Sequence, residues 1–165
     1  MIMKRKTLTL ALALVFALVV FTGCGNHTSG KNDLTNNPSI ESVKEAITSV
    51  DSITKIEIVT EDNDPNGELG KQGGYTGCLF FKYALVTDEA DESAITAGTD
   101  GGGCIEVYAN KSDAAKRDTY LAGFDGGILS SGSHKVLGTL VIRTSSKLTA
   151  SQQTKLETSI INALS

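Results

Sequence analysis

The apolar run TLTLALALVFALVVF, Thr7 to Phe21, constrains this chain more than any other feature, because it takes the first 23 residues out of the folding problem. Lys4, Arg5 and Lys6 precede it, and the sequence turns polar from Gly25 onward. A bilayer-spanning helix needs roughly 20 apolar residues. This shorter run, with a positive start and small residues at its end, has the layout of a secretory signal. Removing residues 1–23 of the 165 leaves 142, the size of one ordinary domain. The removed part holds three of the 15 basic residues and none of the 19 acidic ones, so the remainder carries a formal charge of −7. An acidic domain repels nucleic acid and anionic headgroups, which excludes both as obvious partners.

The signal ends in FTGC, Phe21 to Cys24. Those residues resemble the bacterial lipobox, with Phe21 where leucine is usual, Thr22 and Gly23 as the small residues, and Cys24 as the lipidated cysteine. The resemblance implies acylation (palmitate or a similar chain) at Cys24 and anchorage on the extracytoplasmic side of a cell membrane, facing the cell surface or the periplasm. More than one acyl chain makes such an anchor stable, at about 0.8 kcal/mol per buried methylene. Residues 24–38 are then the lipidated cysteine and a flexible tether rich in Gly, Asn, Ser and Thr, closed by Pro38. Its span is about 20 Å as a random coil. Residues 39–165 form the single domain.

With Cys24 assigned to lipid, Cys78 and Cys104 remain. In an oxidising compartment two cysteines are read as one disulfide.

Periodicity orders the domain as α-β-β-β-α-β-α. Ile40, Val43, Ile47 and Val50 recur on one helical face, so the first helix runs Ser39 to Val50 with Ser39 as its cap. ITKIEIVT (53–60), CLFFKYALV (78–86) and CIEVYA (104–109) alternate as strands. The stretch TDEADESAITAGTDGGG joins the last two as a polar loop. Ser112 is expected to cap a helix burying Ala114, Tyr120, Leu121 and Phe124. KVLGTLVIR (135–143) reads as a fourth strand, and Thr149 with Gln152 has capping-box spacing for a last helix burying Leu156, Ile160, Ile161 and Leu164. The expected fold is α+β: a four-stranded sheet, made of a β-β-β meander plus one crossover strand, with the helices packed on one face.

The stretch with most chemistry is DNDPNGEL, 62–69. Asp62, Asp64 and Asn66 alternate ahead of Gly67, as in a calcium loop, and Glu68 adds a carboxylate. The position that should carry a bidentate Glu is Gly73, and no helix flanks the loop, so Ca2+ is the weaker reading. Asp64-Pro65-Asn66-Gly67 also holds the preferred residues of a type I turn, which explains Asp64 without a metal. The glycine clusters at 98–103 and 123–127 lack P-loop spacing. Ser133 and His134 are candidates for a small surface hydrolase, against a solvated loop histidine as the simpler assignment. Arg143 is expected to pair with a carboxylate within the fold. His27 lies in the tether, and two isolated histidines make no zinc site.

DPNGELGKQGGYT (64–76), read as D-P-N-x-x-L-G then Y-T, together with YLAGF and LVIRTSSKLTASQ, resembles a family of small bacterial surface lipoproteins with no assigned activity. The resemblance implies an exported, tethered domain and supplies no catalytic residue. The expected function is therefore a membrane-anchored, non-enzymatic binding module for an envelope or extracellular protein. A calcium-binding surface module and a small hydrolase stand as alternatives.

Overall fold

The computed structural model describes residues 33–87 and 98–165. The expected signal segment, Cys24, most of the expected tether and residues 88–97 of the polar loop lie outside them. The elements are α1 (Ile40–Ile47), β1 (Ile53–Ile58), β2 (Tyr75–Tyr83), β3 (Gly102–Tyr108), α2 (Lys111–Ala122), β4 (Gly132–Leu137), β5 (Leu140–Ser145) and α3 (Ala150–Leu164). Ser39 caps α1 by accepting the Ser42 N–H at 3.2 Å. Thr149 and Gln152 form the reciprocal capping box that opens α3. Asn110 rather than Ser112 caps α2, accepting the Asp113 N–H at 3.0 Å.

The sheet has five strands in the order β1-β2-β3-β5-β4, all neighbours antiparallel. The expected four-stranded sheet is thus corrected. The stretch read as one strand over 135–143 is a hairpin, with Leu137 opposite Leu140 and Gly138-Thr139 as a two-residue turn. Gly138 sits at φ +63°, the first central position where such hairpins need a glycine. A glycine inside an alternating apolar run therefore marked a reversal. α2 carries the chain from β3 to β4 at the sheet edge, and the hairpin then inserts β5 beside β3.

The helices also lie on both faces, not on one. Leu79, Phe81 and Tyr83 of β2, Ile105 and Val107 of β3, and Leu140 and Ile142 of β5 pack with Val43 and Ile47 of α1 and with Leu156, Ile160 and Leu164 of α3. The opposite parity, with Cys78, Phe80, Cys104, Tyr108 and Val141, packs with Ala114 and Leu121 of α2. The cause lies in β2 and β3, which are apolar on both parities. A strand buried on both faces needs a layer over each. Fully burying each large aliphatic or aromatic side chain contributes about 1.5–3 kcal/mol.

Cys78 and Cys104 are both buried and free, so the expected disulfide is absent. Register explains this. Cys78 faces Glu106 and Cys104 faces Phe80, which makes the cysteines diagonal neighbours. Diagonal pairs sit about 7–8 Å apart, beyond the usual Cα separation of a disulfide. The contact with Cys104, and then burial, push the Cys78 thiol well above its ordinary value. A buried protonated thiol of this kind is unreactive.

The end of the expected tether is bonded to the domain. The Leu34 N–H donates to the Leu164 carbonyl at 2.9 Å, and the Thr139 N–H donates to the Thr35 carbonyl at 2.9 Å. The Asn37 N–H donates to Thr139 Oγ1.

Candidate functional site

The 60–77 loop is organised around one carboxylate. Asp64 Oδ1 accepts the Asn66 N–H at 3.0 Å and the Tyr75 hydroxyl, while Oδ2 accepts the N–H groups of Glu68 at 2.7 Å and Leu69 at 2.8 Å. The Gly67 N–H closes the turn onto the Asp64 carbonyl at 3.3 Å. Burial raises the Asp64 carboxyl, but the Tyr75 hydroxyl and the three N–H groups outweigh it and hold it below its ordinary value. Burial, and then the bond to Asp64, push the Tyr75 hydroxyl upward, so it remains a donor. Asp62, Asn66 and Glu68 are exposed around this turn. Among the described residues no group of three or more His, Cys, Asp or Glu side chains is placed to hold a metal ion.

The Asp64 geometry carries a pH prediction. Its folded-state value lies below the ordinary carboxylate value of 3.8, so its stabilisation is complete above that pH and is lost as pH falls through the folded value. Asp64→Asn presents an amide N–H₂ where carboxylate oxygen now accepts, and should cost about 1–2 kcal/mol near neutrality. Denaturation curves of the two proteins should differ at pH 7 and converge well under pH 3.8.

A second constellation, on the α2 face of the sheet, was not expected from the sequence. Glu106 of β3 is fully buried at the sheet centre. Arg117 of α2 grips it bidentately, Nε to Oε2 and Nη2 to Oε1, each at 2.9 Å. Arg143 of β5 reaches Oε1 through Nη1 at 3.0 Å, and the Tyr108 hydroxyl donates to Oε2 at 2.9 Å. Arg143 also donates through Nη2 to Ser131 Oγ at 2.7 Å. The Arg143 side chain is 11% exposed, that of Arg117 17%. Burial opposes the charge on Arg117, but Glu106 outweighs it and holds the guanidinium charged. Burial likewise opposes charge on Arg143, where Cys104 and Glu106 outweigh it. Two guanidiniums thus share one carboxylate, which leaves one positive charge in excess among these three groups. Arg143 Nε is buried with no hydrogen-bond partner among the described residues.

Arg117, Arg143 and Ser131 line a cleft of about 270 Å³ whose other lining residues include Asn66, Tyr120, Phe124, Asp125 and His134. The Tyr120 ring lies 5.4 Å from the Arg117 guanidinium carbon and meets Phe124 edge-on at 5.1 Å. Tyr120 and Phe124, expected in the core, instead form an aromatic wall. Arg117 takes the inward position between Ala114 and Leu121 on α2, and Tyr120 is 59% exposed.

Ser133 and His134 are adjacent in sequence but point to opposite sides of β4. Ser133 donates to the buried Glu157 of α3, at 2.5 Å. His134 enters the cleft with Nδ1 2.7 Å from Asp118 Oδ1 and Nε2 3.3 Å from Asp125 Oδ2. Both ring nitrogens therefore face carboxylates: the candidate serine–histidine pair does not form, and His134 lies on a strand, mostly buried, instead of in a solvated loop. Arg143 does pair with a carboxylate, that of Glu106.

The signal for the missed residues was weak but present. Glu106 is the single charge in the apolar strand CIEVYA, and a charge on a two-sided strand needs a buried counter-charge. Its partners stand 11 and 37 residues away, beyond any local spacing rule. Among the described residues no helix is long and apolar enough to cross a membrane. Family models, curated proteins and solved structures, each compared with the chain, contain no match to it.

Proposed function

We propose that the chain is a membrane-anchored extracytoplasmic lipoprotein whose domain is a non-enzymatic binding module. Its cleft takes an anionic group carried on an apolar body. The observation that supports this reading is the pair of guanidiniums, Arg117 and Arg143, that share one buried carboxylate, Glu106, and line a cleft with an aromatic wall. The forks of Arg117 and Arg143 are engaged by Glu106 and Ser131, so what they offer a ligand carboxylate is the positive charge that Glu106 leaves uncompensated, little screened because both groups are mostly buried. The apolar segment 7–21 and Cys24 support the anchorage. The acidic character of the remaining chain argues against nucleic acid as the ligand. The occupied nitrogens of His134 and the opposite orientation of Ser133 favour binding over hydrolysis.

Calorimetric titration of the full chain in detergent micelles with 3-phenylpropionate tests the reading. Binding is expected at roughly millimolar Kd, as a ligand of this size allows. Tyr120→Ala removes the exposed wall and should weaken binding about fivefold, the worth of one stacked aromatic contact. Absence of heat with the natural chain removes the proposal.

A further inference from the structure

The cleft has a second pole. Asp125 lines it directly at 54% side-chain exposure, and Asp118, at 39%, stands behind His134. Arg117, Arg143 and Glu106 sum to one positive charge. Asp118 and Asp125 place two carboxylates on the far side of the cleft, beside His134. A purely anionic ligand therefore gains from the guanidiniums and loses against the two aspartates. A ligand with both signs gains at each pole.

We infer, on the reading that this cleft is the binding site, that its ligand is a zwitterion: a free α-amino acid with an aromatic or large apolar side chain. The carboxylate faces Arg117 and Arg143, the ammonium faces Asp125, and the side chain lies along Tyr120, Phe124 and Leu129. Size supports the assignment, because about 270 Å³ falls just under the range of drug-sized pockets and suits a single small molecule. Leu129 is 70% exposed on the rim, an apolar surface that such a side chain would cover. Multivalent anions such as phosphate esters fit poorly, since their second charge meets Asp125.

The test uses the full chain in detergent and three probes of one skeleton. L-phenylalanine carries both charges, 3-phenylpropionate lacks the ammonium, and phenethylamine lacks the carboxylate. Phenylalanine is expected to bind at least tenfold tighter than either. Asp125→Asn should weaken phenylalanine about tenfold and close most of its gap to 3-phenylpropionate, with an unchanged melting curve showing that the fold is intact. Equal or tighter binding of 3-phenylpropionate overturns the zwitterion while leaving the anion site standing. Tighter binding of phenethylamine overturns it too, and silence from all three probes overturns both readings together.

Discussion

Glu106→Gln is expected to lower the unfolding free energy by about 3–5 kcal/mol, among the largest effects of any single substitution here. The amide keeps the shape of the carboxylate but leaves Arg117 and Arg143 as two buried positive charges with no counter-charge between them. It also turns donors toward donors, because Arg117, Arg143 and the Tyr108 hydroxyl all donate into the oxygens of Glu106. Burial and then the Glu106 charge push the Tyr108 hydroxyl upward, so it stays a donor throughout the accessible pH range. The denaturant midpoint should fall with an unchanged slope. Replacing all three charged residues by apolar ones of similar volume should recover much of the loss, because the unpaired charge is the main cost. A loss under about 1 kcal/mol for Glu106→Gln would mean that water screens the cluster.

Phe81→Ala should cost a similar amount, about 3–5 kcal/mol, for a different reason. Phe81 is almost completely buried under α1 and α3 and lies opposite Gly103 on β3. Its ring covers the glycine so closely that a Cβ built on Gly103 would sit 2.4 Å from Cζ and 2.3 Å from the Arg143 carbonyl oxygen. The ring thus fills space that the partner strand leaves open, and truncation opens a cavity between sheet and helices. Phe81→Leu retains most of the volume and should lose less than half as much. Gly103→Ala should cost about 1–3 kcal/mol by pushing β3 from both the ring and β5. Equal losses for Phe81→Ala and Phe81→Leu would show that ring shape, not cavity volume, controls the packing.

The legible parts of this protein share one property: their signals act over a few residues. Ile40, Val43 and Ile47 recur at helical spacing and face the core in α1. Thr149 and Gln152 stand three apart and form the capping box. The Asp64 turn was readable because an Asp side chain bonds backbone N–H groups just downstream. Strands β1 to β3 were visible from alternation, and the meander they form needs only short-range pairing.

The hairpin of β4 and β5 is not legible in the sequence because Gly138 interrupts no apolar pattern; Leu137 and Leu140 continue it on both sides of the turn. The second helix-covered face was hidden for a related reason. Phe80 and Cys78 were apolar enough to demand a layer of their own, yet alternation alone named only one core side. Hydrophobicity alone puts Tyr120 in the core, where the structure leaves it exposed. Arg117 holds the inward site on α2 because Glu106 waits there.

Local sequence is enough for the helices α1 and α3, the first three strands and the turn at Asp64, while the signal segment stands as an expectation from it. The five-strand order, the two covered faces, the failure of Cys78 and Cys104 to bridge, and the cleft beside Arg117 and Arg143 emerge only in the folded chain. The physical reason is range. Helical periodicity, caps and turns are settled by neighbours three or four residues apart, whereas a diagonal across a sheet or a charge shared between β3, α2 and β5 depends on register. Register is set by the whole set of pairings at once.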